Sequence, residues 1–216
     1  MLAGVLPTKV HIGCGMRRIT FLTIVFVLIA ASTMSSYCHA GEIAPQVTIG
    51  TQEVGLTAGY LLPMRLTTDH TTKQKGPALM PSWMMTLTEP IGQGWYRGQV
   101  SIGAEVVYIQ FQEPVVSNGV GFTPKIKYTF VAGNRIRPYA EFAGGPFWTD
   151  FTNQVPEESS SFNFILTAGV GCSFFITSQA AINVGYRFHH ISNAGTSYPN
   201  VGLNSSLPFG GFSFYY

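Results

Sequence analysis

A period of two between apolar and polar residues is the feature that most restricts how this chain can fold. Every even position from Phe162 to Ile176 is apolar, whereas the odd positions include Asn163 and Thr167. Successive side chains of a β-strand point to opposite faces, so this period indicates strands with two unlike faces. The pattern recurs near residues 46–62, 78–90, 97–113, 118–131, 135–150, 160–176, 179–192 and 205–216. We therefore predict an all-β fold of eight antiparallel strands.

Such strands fit either a soluble sandwich with apolar faces inward or a small membrane barrel with apolar faces outward. Only 10% of the residues are charged, against about 25% in ordinary soluble domains. The segments also reach the roughly 9–11 residues that a tilted strand needs to cross a bilayer. The chain ends in "FGGFSFYY", with Phe212, Phe214 and Tyr216 on one face, and this ending resembles the C-terminal signal of outer-membrane barrels. We predict an eight-stranded antiparallel transmembrane β-barrel, whose closure removes exposed sheet edges.

The N-terminal segment has the layout of a secretory signal peptide. Arg17 and Arg18 precede an apolar stretch, residues 19–31, and small residues follow up to Ala40. We expect residues 1–40 to comprise an upstream extension, a start at Met16 and a cleaved signal peptide. Residues 41–216 would then form the barrel. A membrane anchor is the alternative, but the apolar stretch is short for a helical span of about 20 residues.

Cleavage at this point changes the charge and the cysteine content. Lys and Arg fall from 12 to 9 through loss of Lys9, Arg17 and Arg18, while all 10 acids remain, which gives a net charge of about −1. This charge gives no reason to expect nucleic-acid binding. Cys172 stays as a lone cysteine and cannot form an intramolecular disulfide.

The polar strand faces predict a charged barrel interior. An eight-stranded barrel is narrow enough for side chains to fill, so we expect an ionic plug rather than a conducting pore. Its expected members are Arg97, Lys125, Lys127, Arg135, Arg137, Arg187, Glu105 and Glu141.

The stretch "HHISNAG", residues 189–195, follows directly on an apolar strand pattern. His190 and Ser192 share the outward face, while His189 points inward with Arg187 as a hydrogen-bonded interior group. A histidine two residues from a serine supplies a base beside a nucleophile. Asn193 and the backbone N–H groups of Ala194 and Gly195 offer donors for an oxyanion. Taken alone, the pattern also fits a polar cap at the membrane edge.

The chain resembles the lipid A 3-O-deacylase (PagL-like) family most closely through "YRFHHISNAG" and "PNVGLNS", and more loosely through "RPYAEFAGG" and "FNFILTAGVG". The resemblance implies an eight-stranded outer-membrane barrel that hydrolyses the 3-linked acyl ester of lipid A with a serine, histidine and glutamate. It implies Ser192 as nucleophile, His190 as base, and Asn193 with Gly195 and neighbouring backbone at the oxyanion.

The family's acid has no counterpart here, because Asn204 stands at the position that the resemblance assigns to the glutamate. An asparagine can orient a histidine, as in Cys–His–Asn sites, but it brings no charge to the imidazolium. Either Asn204 is a weaker orienting residue, or an acid such as Asp150 substitutes, or the enzyme is slow or inactive.

The expected substrate is lipopolysaccharide in the outer membrane, approached from the outer leaflet if both chain ends are periplasmic. We expect no cofactor and no metal, since His70, His189 and His190 form no ligand cluster with nearby acids. The sequence leaves open whether the protein forms a homodimer. The alternatives to an esterase are a non-catalytic barrel, adhesin-like or structural, and a narrow channel.

Overall fold

The computed structural model describes residues 45–64, 66, 73–131, 133, 135–150, 154–155, 157–158 and 160–216. The predicted signal peptide, the predicted mature start at Gly41 and the histidine at position 70 lie outside these residues. Among the described residues, no helix combines the length and apolar character that crossing a bilayer requires.

Eight strands form the molecule, each hydrogen-bonded in antiparallel register to the next, and the first pairs with the last to close a barrel. They are β1 (Gln52–Pro63), β2 (Gly76–Thr86), β3 (Gly98–Phe111), β4 (Ser117–Phe130), β5 (Ile136–Thr149), β6 (Phe162–Phe175), β7 (Ala180–Ser192) and β8 (Leu203–Tyr215). The predicted fold is confirmed.

The strand boundaries differ most from the prediction at the first two strands. The first was expected from residue 46, but a tight turn with Gly50 at φ +85° and a hydrogen bond from Thr51 N–H to Thr48 O precedes β1. The second was expected over residues 78–90, whereas β2 already starts at Gly76 and ends at Thr86. Alternation in the sequence continues beyond the residues that pair.

The barrel has two unlike ends. The start of β1 and the end of β8 meet at one of them, where Gln52 N–H donates to Tyr216 O, and we call it the terminal end. The opposite end, here called the loop end, carries the connections β1–β2, β3–β4, β5–β6 and β7–β8. Ser192, the last residue of β7, therefore lies at the loop end.

The outer wall is apolar along the barrel. Exposed large hydrophobic side chains come from every strand and include Leu56, Leu79, Val106, Phe122, Phe142, Val170, Val184 and Phe212. In water this surface would be unfavourable, whereas facing lipid it is the arrangement that a membrane barrel needs.

The interior is layered. Buried apolar side chains fill the part nearer the loop end, among them Leu61, Ile109, Phe111, Phe147, Ile165 and Leu207. Near the terminal end, Phe175, Ala181 and Tyr215 pack together. Between these two layers lies an ionic cluster.

Arg187 is the centre of the ionic cluster. Its Nη1 and Nη2 donate to the two oxygens of Glu105 at 2.7 and 3.0 Å, and its Nε donates to Glu141. Lys125 Nζ bridges the same two acids at 3.0 and 2.7 Å. Bidentate geometry and full pairing are what allow charges to remain in a dry interior.

The predicted membership of the plug needs two corrections and one addition. Arg97 is exposed just before β3, and Arg135 is half-buried just before β5, so both lie at the terminal end where water reaches them. Glu53, which the sequence did not indicate, is buried and pairs with Lys127 and the Ser213 hydroxyl. Arg137 is buried as expected and donates to Pro45 O.

Candidate active site

A hydrogen-bonded chain of three side chains lies where β7 and β8 reach the loop end. The Oγ of Ser192 is 3.1 Å from Nε2 of His190, and Nδ1 of the same ring is 2.8 Å from Oδ1 of Asn204. The structure thus brings together all three residues that the sequence placed at a reacting centre.

Strand geometry positions these side chains. His190 and Ser192 are two residues apart on β7, so both project to the outer face. Asn204 is the direct cross-strand partner of His190 on β8, and directly opposed residues stand about 4.5–5.5 Å apart at Cβ. Two regular strands therefore bring the three side chains together.

The hydrogen bonds also fix the tautomer of the imidazole. An amide oxygen can only accept, so Nδ1 of His190 carries the proton that it donates to Asn204 Oδ1. In the neutral imidazole, Nε2 then carries a lone pair directed at the Ser192 hydroxyl. This is the protonation state that a general base for serine requires.

The site is more enclosed than an outward-facing position suggests. His190 and Ser192 are only half-buried, but Asn204 is 4% exposed although its side chain is on the outer face. Gly202, in the β7–β8 loop, lies against the imidazole: an added Cβ there would be 2.8 Å from His190 Cε1. The loop therefore covers one side of the ring.

The predicted oxyanion donors are mostly engaged within that loop. The Nδ2 group of Asn193 donates to Ser197 O at 2.9 Å, and its Oδ1 accepts from Gly195 N–H at 2.9 Å. The backbone N–H of Asn193 donates to Asn200 Oδ1. Ala194 and Gly195 adopt left-handed backbone, with φ of 54° and 78°. Among the described residues, no backbone acceptor receives the Ala194 N–H.

The suggestion that Asp150 replaces the acid is wrong. Its Oδ1 accepts from the backbone N–H of Asn118 on β4 at 2.6 Å. Two strands, β5 and β6, separate β4 from β7, so this carboxylate is held on another part of the wall.

Glu158 is a residue near the site that the sequence did not single out, except as the last acid in the chain. It lies in the β5–β6 loop, is 0% exposed, and its Oε1 accepts from Gly202 N–H at 3.2 Å. Burial raises the pKa of this carboxyl to about 7, although the hydrogen bond from Gly202 N–H and the nearby polar groups of Asn193 act in the opposite direction.

His189 points into the barrel, as predicted, and is 0% exposed. The expectation that it would be hydrogen-bonded is wrong, because neither ring nitrogen has a partner among the described residues. Within the same part of the chain, no group of three His, Cys, Asp or Glu side chains is placed to bind a metal ion.

Comparisons with known proteins agree with this geometry. The family model described as lipid A 3-O-deacylase (PagL) matches residues 54–208, which is most of the chain. The crystal structure of the outer membrane enzyme PagL aligns with a TM-score of 0.50 and 24% identity over 74% of this chain and 97% of that one. That of Neisserial surface protein A aligns with a TM-score of 0.51 and 14% identity over 77% and 97%.

The two structural likenesses support the barrel fold alone, and comparison with curated protein sequences gave no match. The family model spans β1 to the middle of β8 and so includes the strand that carries His190 and Ser192, together with Asn204. This outer-membrane β-barrel therefore belongs to the lipid A 3-O-deacylase (PagL) family.

Proposed function

We propose that this protein is a serine esterase that removes the 3-O-linked acyl chain from lipid A of lipopolysaccharide. The observation that carries the proposal is the chain Ser192–His190–Asn204, hydrogen-bonded at 3.1 and 2.8 Å on the outer wall of a membrane barrel. Family membership supplies the substrate class, and the position on the wall suits a substrate that is itself a membrane lipid.

The proposed reaction begins when Ser192 Oγ attacks the ester carbonyl carbon and His190 Nε2 takes the hydroxyl proton. Collapse of the tetrahedral intermediate breaks the acyl C–O bond, and the imidazolium returns its proton to the departing 3-oxygen of the sugar. A water molecule, deprotonated by His190, then attacks the acyl-enzyme and releases the fatty acid. Asn204 keeps Nδ1 protonated throughout, which leaves Nε2 as the working nitrogen.

The oxyanion donors are proposed to come from the turn that follows Ser192. The Ala194 N–H is the first candidate, since it lies two residues after Ser192 in a left-handed turn and donates to no backbone acceptor among the described residues. Asn193 orients this turn through its bonds to Ser197 and Gly195. Gly195 N–H joins the oxyanion site only if its bond to Asn193 Oδ1 opens. Removing one such donor costs about 10²–10³ in rate in well-studied enzymes.

We further propose that residues 1–40 are removed on export and that the terminal end faces the periplasm. The loop end then lies at the cell surface, and Ser192 stands at the level of the outer leaflet. Lipid A would reach the site laterally, without leaving the bilayer.

One observation favours a second function, a non-catalytic barrel. Asn204 stands where the resemblance assigns the family's glutamate, and no described acid contacts His190 in its place. A neutral partner holds the tautomer but stabilises the imidazolium less than a carboxylate does.

The test is mass spectrometry of lipid A from cells that produce the wild-type protein or Ser192→Ala. We expect loss of one 3-linked acyl chain in the first case and unmodified lipid A in the second. Unmodified lipid A in both, with the wild-type barrel folded in the outer membrane, would support the non-catalytic alternative. N-terminal sequencing of the same sample should find Gly41 as the first residue.

A further inference from the structure

We infer that Glu158 is a positioning residue for this site: it holds Gly202 in place, and Gly202 in turn keeps the imidazole of His190 between Ser192 and Asn204. The inference rests on the proposed function and adds a residue from a different loop to it. Glu158 itself does not contact the reacting atoms.

The β5–β6 loop and the β7–β8 loop contact each other beside the site. Glu158 Oε1 accepts from Gly202 N–H at 3.2 Å, and the backbones of Glu158 and Asn200 form an isolated antiparallel bridge. The neighbouring Glu157 O accepts from Val201 N–H at 3.0 Å. Two consecutive residues of the β5–β6 loop therefore fix residues 200–202 of the β7–β8 loop.

Gly202 in turn lies against the ring of His190. Gly202 has φ +79°, a conformation that favours glycine, and a Cβ at this position would come within 2.8 Å of His190 Cε1. The backbone of Gly202 thus lies directly against the ring. Hydrogen bonds hold the two nitrogens of the imidazole, and Gly202 limits its movement on a third side.

The neutral partner of His190 makes such support necessary. A carboxylate opposite Nδ1 would orient the ring through a charge-assisted bond, which is roughly twice as strong as a neutral one. Asn204 offers only the neutral bond. A displacement of about 1 Å can lower an enzymatic rate about 10²-fold, so packing that confines the ring compensates for the missing charge.

Glu158 has the properties of a fixed structural acid. It is buried despite its loop position, and removing a buried carboxyl oxygen that accepts from a backbone N–H costs that hydrogen bond. The same hydrogen bond requires an acceptor, not a charge. Glutamine, which keeps the acceptor and the shape, should therefore replace Glu158.

The experiment measures covalent labelling of Ser192 by a fluorophosphonate probe in the purified, folded barrel near neutral pH. Ser192 Oγ attacks phosphorus, the P–F bond breaks, fluoride leaves and His190 takes the hydroxyl proton. The rate reports whether the imidazole is in place, without lipid A. We expect Glu158→Ala to label about 10- to 100-fold more slowly and Glu158→Gln to stay within about twofold of wild type. Glu113→Ala, which removes another loop-end carboxylate that pairs with Lys75, should label normally.

Gly202→Ala provides an independent variant if Glu158→Ala does not fold, with folding judged by the heat-dependent gel mobility of the barrel. Its Cβ would push on His190, so we expect slow labelling. Wild-type labelling in either Glu158→Ala or Gly202→Ala overturns the inference, and so does Glu158→Gln as slow as Glu158→Ala. A wild-type protein that labels at Ser192 but releases no acyl chain from lipid A refutes the proposed substrate and leaves this inference intact.

Discussion

The two faces of β7 carry polar residues with opposite roles. Arg187, on the inner face, is 2% exposed and forms ion pairs with Glu105 and Glu141. His190, three residues further on and on the outer face, is half-buried and forms only neutral hydrogen bonds. The inner group is fully ion-paired, whereas the outer group has uncharged partners and is partly exposed on the outer face.

This difference shows which polar residues are available for chemistry. Both acids that face Arg187 are also bound by Lys125, so a proton transfer inside the barrel would break several charge-assisted bonds at once. The outer chain places His190 Nε2 beside a hydroxyl, and both partners of the ring, Ser192 and Asn204, are uncharged. We therefore expect reactivity on the outer face, and we expect the inner face to stabilise the barrel.

The largest expected effect comes from removing the base on the outer face. His190→Ala should lower acyl release from lipid A by about 10⁴-fold or more, since loss of a working histidine in a serine triad has effects of this order. Thermal unfolding should stay unchanged, because the side chain borders the surface. The adjacent inward His189→Ala is the matched control and should keep most of the activity. Equal losses in both variants would contradict the division between the two faces.

The next effect concerns the inner face. Arg187→Leu should destabilise the barrel by about 3–5 kcal/mol, because it leaves Glu105 and Glu141 buried with only Lys125 to compensate them. Denaturant unfolding in detergent measures this loss. The surviving folded fraction should hydrolyse lipid A at nearly the normal rate per folded molecule. Normal stability with lost activity would mean that the interior takes part in the reaction.

The sequence predicted those parts of the molecule that depend on period and register. Alternation was sufficient for the strands and for the opposite orientation of His189 and His190, and the resemblance added Asn204, which strand pairing places beside His190. Arg97 and Arg135 were misplaced because alternation does not mark where pairing ends. The sequence did not indicate Glu158, because it lies 44 residues from Gly202 and reaches the site only through a contact between two loops. Irregular loops have no period from which such a contact could be predicted.

A smaller effect is expected at Asn204, the neutral member of the outer chain. Asn204→Ala leaves the His190 Nδ1–H without its partner, which costs about 1–3 kcal/mol, or roughly 5- to 150-fold in the rate of acyl release. Asn204→Glu should preserve or raise the rate by supplying charge to the imidazolium. Comparing kcat for the two variants tests the idea. Full activity in Asn204→Ala would remove this residue from the mechanism.

The smallest expected effect is on pH dependence, and it concerns the loop contact rather than the strand. Burial and the adjacent Glu157 raise the pKa of Glu158 to about 7. When the Glu158–Gly202 contact is closed, the carboxyl therefore keeps its proton up to about pH 7. When the contact opens, the carboxyl loses its proton nearer the ordinary value of 4.5. The closed contact is therefore most stable below that ordinary value and weakens as the pH rises through about 7. The Glu158–Asn200 bridge and the bond from Val201 N–H to Glu157 O also hold the two loops together, so protection should change roughly fivefold or less. Hydrogen exchange at the Gly202 amide, corrected for the intrinsic pH dependence, measures it: protection should fall across this range in the wild type and stay level in Glu158→Gln, whose amide does not titrate. Protection that rises with pH in the wild type would contradict this prediction. It would mean that the ionised carboxylate of Glu158, rather than the neutral acid, holds the loop.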